Sequence, residues 1–269
     1  IAILLHDIGH GPFSHALEFT LLDGITHEQL SIQIMESFNL HWNGQLTTAI
    51  AIYNNTYPKQ FLHQLVSSQL DVDRLDYLNR DSFFSGVIEG MIGCDRILKM
   101  LTVHNGELMV EEKGIYTIEE FLVSRRLMYW QVYLHKTTVS AEEMLIQLMR
   151  RARQLMFSGM QLGMPPALKP FFERHFGRED FAGSDVHLNA FSMLDDHDIW
   201  FCIKSWARRF LIQDPSAKHT GIPAVRLMLK RDPDQSPYFG RGPIKSVFSE
   251  NALESVRCGN RWVMPWPIS

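Results

Sequence analysis

Cysteine is scarce in this chain: three in 269 residues, at Cys94, Cys202 and Cys258, far apart and odd in number. Such usage excludes a disulfide framework and offers no metal-type Cys spacing, and it suits a reducing, cytoplasmic setting. No apolar run approaches the roughly 20 residues needed to span a bilayer, and no signal peptide is visible, so no membrane partner is expected. Surplus positive charge is missing too. Lys and Arg number 26 against 30 Asp and Glu, a net charge of −4, opposite to the balance of a dedicated nucleic-acid binder, so nucleic acid is not expected as a partner. Internal repeats and low-complexity runs are absent. What remains is a chain with 45% hydrophobic residues, able to bury one substantial core and a small appended domain.

The informative residues are concentrated. His6-Asp7-Ile8-Gly9-His10-Gly11-Pro12-Phe13-Ser14-His15 places three imidazoles and a carboxylate in ten residues, where an apolar helix (Ile1 to Leu5) gives way to a Gly-Pro turn. Adjacent His and Asp at a helix end offer nitrogen and oxygen ligands to one hard or borderline cation. A lone buried histidine would mean little, but this density beside Gly-x-Gly-Pro points to a site.

Asp71-Val72-Asp73-Arg74-Leu75-Asp76-Tyr77-Leu78-Asn79-Arg80-Asp81 is the second such segment. On a helix, Asp73, Asp76 and Tyr77 share a face by i, i+3, i+4 spacing, while Arg74 and Asp81 align on a neighbouring one. Taken alone it reads as a solvated helix knitted by Asp–Arg pairs. With the histidine run upstream, one of its aspartates is expected to be a third metal ligand.

Together with Thr26-His27-Glu28, these segments resemble the HD-domain phosphohydrolases. Within them the chain is similar to the deoxynucleoside triphosphate triphosphohydrolase branch, which includes the vertebrate SAM-and-HD-domain dNTPase and bacterial dGTPases. The resemblance covers about residues 1 to 155 and takes in Arg125 to Lys136, similar to the family's late R…Y-x-H-K helix. Leu194-Asp195-Asp196-His197-Asp198 is similar to a family L-x-D segment.

The resemblance implies a mostly α fold: an HD-domain helical core (residues 1–160), one small β-hairpin, and a less regular C-terminal helical and loop-rich region (161–269). It places the divalent metal on His6, Asp7 and Asp73, with Asp71 structural; Mn, Fe, Ni, Co, Zn and Mg all suit such ligands. The family also uses a histidine from a preceding helix. No residue here fills that position, and the chain, starting at Ile1 without an initiator Met, is read as truncated at its N-terminus.

Roles follow for the other polar residues. Water acidified by the metal would attack phosphorus, and His15 would protonate the leaving oxygen, a role open to histidine side chains at neutral pH. Glu18, three residues on and one turn along the same helix, would hold the His15 imidazolium. His10, His27 and Glu28 would contact phosphates or relay protons. Arg74, Tyr77, Asp81, Arg125, Tyr133 and Lys136 are the substrate-contact candidates, the arginines for bidentate phosphate binding and a tyrosine ring to pack on a deoxyribose. For Arg125 and Tyr133, ordinary helix packing is the competing reading. The remaining histidines lack partners at ligand spacing and receive no role.

Local signals organise the chain. Thr26-His27-Glu28-Gln29 is a capping-box pattern opening a helix to about Phe38. Pro58 stands where a helix could begin. Leu101 to Val110 reads as a hairpin turning at Asn105-Gly106. Ile118 to Phe157 is one long helix-favouring stretch, with a break expected near Thr137-Thr138-Val139-Ser140. Its methionine and aromatic stripe suits core or a subunit interface, and the family commonly forms homo-oligomers. Gly159 to Pro170 is the expected hinge, and Asp198 to Phe210 one more helix. Arg209, Lys218, Arg226, Lys230 and Arg231 read as solvated surface rather than a regulatory patch.

The leading functional expectation is a metal-dependent phosphohydrolase acting on nucleotides, hydrolysing a dNTP to deoxynucleoside and triphosphate. The alternatives are hydrolysis of another phosphoester, such as a nucleoside monophosphate or cyclic nucleotide, and a non-catalytic nucleotide sensor or scaffold.

Overall fold

The structure, a computed structural model, describes residues 1–181 and 185–213. The tail beyond these and the basic side chains of Arg209, Lys218, Arg226, Lys230 and Arg231 lie outside the described residues and side chains. The described chain is mostly α, with one two-stranded antiparallel sheet. Its helices are α1 (Ala2–Leu5), α2 (Glu18–Leu21), α3 (His27–His41), α4 (Thr47–Tyr53), α5 (Gln60–Val66), α6 (Val72–Ser85) and α7 (Cys94–Met100). After the strands β1 (Leu101–His104) and β2 (Glu107–Val110) come α8 (Ile115–Met128), α9 (Lys136–Phe157), α10 (Pro170–Glu173), α11 (Arg178–Phe181), α12 (Asp185–Ser192) and α13 (Asp196–Gln213).

Caps set the helices that carry the site. Thr26 Oγ1 accepts from the N–H of Gln29, and Gln29 Oε1 accepts from the N–H of Thr26, so the capping box forms and α3 runs on to His41. Asp71 caps α6 by accepting from the N–H of Arg74 at 2.8 Å and of Ser68 at 3.2 Å. Gly86, at φ 71°, ends that helix in the left-handed conformation that glycine adopts without penalty. The hairpin pairs Leu101 with Val110 and His104 with Glu107 across Asn105 and Gly106, both at positive φ. It docks on α5, where the N–H of Leu108 donates to Gln64 Oε1 and that of Phe61 to the Gly106 carbonyl.

The long stretch from Ile118 is broken earlier than expected. A π-turn over Tyr129–Tyr133 closes α8, and α9 starts at Lys136. His135 Nδ1 accepts from the N–H of Thr137, and the Thr138 hydroxyl donates to the Val132 carbonyl. Those hydroxyl residues therefore open the second helix instead of interrupting one, in keeping with their preference for helix starts.

Three apolar clusters hold these elements. Leu17, Leu22, Ile25, Leu30 and Ile34 pack with Met149 and Ala152 of α9 and with Phe171, Phe172, Ile199 and Trp206. A second cluster joins Leu75 and Leu78 of α6, Ile97 of α7, and Phe121 and Met128 of α8. The third joins Ala2, Ala49 and Val66. A half-buried cation crosses the first: Arg153 Nη2 donates to the carbonyls of Leu21 (2.8 Å) and Phe171 (2.7 Å), and Nη1 lies 3.9 Å from Asp23. Among the described residues no helix is long and apolar enough to cross a membrane.

Candidate active site

The segment after α1 meets α3 backbone to backbone. Gly9 makes this possible: a Cβ there would collide with the His27 carbonyl and the Ser31 nitrogen. Its N–H donates to the buried Ser31 hydroxyl at 2.9 Å. The contact brings His6, Asp7 and His10 to one side of His27.

His6, Asp7 and Asp73 offer one ligand atom each within 4.8 Å of one another. His6 Nε2 lies 3.3 Å from Asp7 Oδ2 and 3.9 Å from Asp73 Oδ2. The Nδ1–H of His6 donates to the Ile3 carbonyl at 2.7 Å, which leaves the Nε2 lone pair directed at the two carboxylates. Burial, with the nearby charges of Asp7 and Asp71, holds the Asp73 carboxyl above its ordinary range despite His6 and Arg74. Two carboxylates crowding one imidazole lone pair is a donor set complementary to a divalent cation, so these residues fit the expected metal.

A second group sits against the first. His10 and His27 stack with centroids 4.0 Å apart and 11° between planes, and the His15 ring meets both edge-on at 4.8 and 4.9 Å. His10 Nε2 is 3.8 Å from Asp7 Oδ2, and His27 Nε2 is 3.9 Å from Asp7 Oδ1. Burial and the neighbouring His27 push the His10 imidazole below its ordinary value. His10 Nδ1 is buried without a hydrogen-bond partner among the described residues. His10, Glu18 and His27 line a small cleft with Gly9, Gly11 and Phe191.

Glu18 departs from expectation. It lies in α2, whereas His15 lies in a separate 3₁₀ turn, Ser14–Ala16, because the chain bends at Leu17. Its principal partner is His27, whose backbone N–H (2.6 Å) and Nδ1–H (2.7 Å) both donate to Oε1. His15 Nδ1 is 3.6 Å from the other oxygen. Burial alone would raise the Glu18 carboxyl, but the hydrogen bonds from His27 prevail and hold it below its ordinary range. Glu28 is exposed, its oxygen 3.6 Å from His27 Nε2.

The substrate-contact candidates gather further along α6. Tyr77, one turn beyond Asp73, meets the Tyr133 ring edge-on at 6.1 Å, and the Tyr133 hydroxyl donates to Asp81 at 2.6 Å. Burial and the adjacent Tyr129 push the Tyr77 hydroxyl up to about 12, and the guanidiniums of Arg74 and Arg125 both act on it in the opposite direction. Arg74 Nε pairs with Asp71 at 3.4 Å; Arg125 lies over the Tyr129 ring and donates to Gln69 Oε1. Lys136, first in α9, is exposed. Two contributors had no local signal in the sequence: Ser31, which secures Gly9, and Tyr53, whose hydroxyl reaches the His6 carbonyl at 3.5 Å.

A family model described as HD associated region matches residues 92–161, the stretch that supplies Arg125, Tyr133 and Lys136. The solved structure of a phosphohydrolase from Bacteroides thetaiotaomicron matches with a TM-score of 0.74 at 55% identity, over 77% of this chain and 51% of that one. The chain is similar to the HD-domain phosphohydrolases. Two further relatives stand at lower identity. Uncharacterized protein YwfO of Bacillus subtilis is 34% identical over 195 residues, 68% of this chain and 44% of that protein. The deoxynucleoside triphosphate triphosphohydrolase SAMHD1 homolog of Dictyostelium discoideum is 29% identical over 184 residues, 61% of this chain and 35% of that protein. The chain thus spans about half or less of the length of these relatives.

Proposed function

We propose that this chain carries the catalytic centre of a metal-dependent phosphohydrolase that cleaves deoxynucleoside triphosphates to deoxynucleoside and triphosphate. The observation that carries the reading is the meeting of two clusters on Asp7: the His6–Asp7–Asp73 donor set on one side and the His10–His27–Glu18 group on the other. A divalent cation held by His6, Asp7 and Asp73 supplies Lewis acidity towards phosphoryl oxygen and acidifies water. Glu18 fixes the His27 ring with Nε2 facing the site, a proton-bearing Nδ1 being committed to the carboxylate. His10 offers its buried, unpartnered Nδ1 to a phosphoryl oxygen. His15, with its ring largely exposed, donates the proton that the departing 5′ oxygen takes up.

Support for a triphosphate comes from Arg74 and Arg125, whose charges both act on Tyr77 and supply positive charge that a monophosphate needs less. Support for a deoxyribose comes from the Tyr77–Tyr133 wall one turn from Asp73, and from the name of the Dictyostelium relative. Incubation with dNTPs, NTPs and simpler phosphoesters plus Mn²⁺ or Mg²⁺, resolved by anion-exchange chromatography, tests the reading. Deoxynucleoside with intact triphosphate is the expected result. Single-phosphate release would move the substrate to another phosphoester, and thermal stabilisation by dNTP without any product would make the chain a nucleotide sensor.

A further inference from the structure

We propose that Asp196 is a positioning residue for His15, pinning the left-handed backbone at Phe13–Ser14 that carries the His15 ring to the His10–His27 pair. The inference rests on the reading of His15 as the proton donor.

His15 is poorly held by its own side chain. The ring is 72% exposed, and its one ionic neighbour among the described residues, Glu18, is 3.6 Å away. Its placement therefore depends on the backbone that leads into it. That backbone is unusual: Phe13 (φ 56°) and Ser14 (φ 46°) are consecutive non-glycine residues in the left-handed region, which L side chains disfavour. The turn then closes through Ser14 N–H to the Gly11 carbonyl and Ala16 N–H to the Phe13 carbonyl, each 3.0 Å. A relaxed backbone at these two positions would send His15 elsewhere.

The surroundings that impose the conformation come from α12 and α13. The N–H of Phe13 donates to Asp196 Oδ1 at 2.8 Å, a charge-assisted bond spanning 183 residues of chain. The Phe13 ring meets Trp200 edge-on at 6.0 Å, and the Phe191 ring covers Gly11 so closely that a Cβ there would come within 2.7 Å. The three acids at the start of α13 have separate tasks. Asp195 caps the helix, accepting from the N–H of His197 (2.7 Å) and Asp198 (3.3 Å), and Asp198 accepts from the N–H of Asp195. Asp196 takes no part in this cap and is free to hold the loop.

The test compares Asp196→Ala, Asp196→Asn and the double variant Asp196→Ala with Ser14→Gly, each in the full chain. Asp196→Ala should lower kcat for the dNTP substrate about ten- to a hundredfold while KM stays within about twofold, the scale of a misplaced catalytic group. Asn retains an oxygen to accept from Phe13 and should restore most of the rate. Glycine at position 14 removes one left-handed penalty and should restore part of it. Imidazole resonances in histidine-labelled samples give a readout independent of turnover: His15 should shift in Asp196→Ala and return in Asp196→Asn, with circular dichroism unchanged. Wild-type kcat with unmoved His15 resonances overturns the proposal, as does a loss that neither second substitution restores. Should the unaltered chain release no product, a His15 shift in Asp196→Ala would retain the positioning role while the hydrolase reading fails; an unmoved resonance would remove both.

Discussion

Replacing Glu18 separates its charge from its hydrogen bonds. One oxygen accepts 2.6 and 2.7 Å bonds from His27, and the side chain is only 11% exposed. In Glu18→Gln the amide oxygen must keep that place, since its NH₂ would confront two donors. Both bonds then survive in neutral form. A bond to a charged acceptor contributes about 1.5–3 kcal/mol and a neutral one about 0.5–1.5, so Gln should cost about 2 kcal/mol for the pair. Glu18→Ala leaves both His27 donors unmet and should cost about 4 kcal/mol. Turnover should fall less than about tenfold in Gln and about ten- to a hundredfold in Ala, the range for losing the group that orients a site histidine. The carboxyl lies below its ordinary range when folded, so its stabilisation is present at neutral pH and lost as pH falls through the folded value. The stability gap between wild type and Gln should therefore narrow below about pH 4. Urea unfolding at pH 7 and 3.5, with dNTP turnover at neutral pH, reads all three quantities. An Ala variant as stable and active as wild type would refute the claim that Glu18 fixes His27.

Asp73→Asn should abolish high-affinity Mn²⁺ binding in calorimetry while the helical spectrum is retained; undiminished binding would place the cation elsewhere. His15→Ala should keep Mn²⁺ affinity yet lose about 10²–10⁴-fold in kcat, the usual contribution of general acid–base catalysis, and unchanged turnover would remove His15 from the chemistry. Gly9→Ala drives a methyl into the His27 carbonyl and the Ser31 nitrogen. It should cost about 1–3 kcal/mol or more, seen as a lower unfolding midpoint, and a wild-type midpoint would mean that α3 gives way freely.

The parts of this site legible from sequence are those governed by neighbours along the chain. The Thr26 capping box and the Asn105-Gly106 turn each need only a few adjacent residues, and both formed as read. The i, i+4 spacing of Asp73 and Tyr77 likewise carried both residues onto one face of α6. The break between α8 and α9 was misplaced because residues 129–135 contain no Gly or Pro. There the π-turn accompanies packing of Tyr129 and Tyr133 around Tyr77, a tertiary cause without local signature. Glu18 was assigned to His15 by proximity along the chain, yet α3 brings His27 closer. Asp196 and Ser31 touch the site from distant segments, so spacing could not reveal them.

Arg153 reaches the carbonyls of Leu21 and Phe171, and the identity of those two residues is immaterial to it. A main-chain oxygen is present whatever the side chain, so the tie tolerates any substitution at either receiving end that still packs. Its vulnerability is one-sided. Only a change at Arg153 itself removes both hydrogen bonds at once, and it would leave α10 and the Glu18-bearing α2 to their apolar packing against α9.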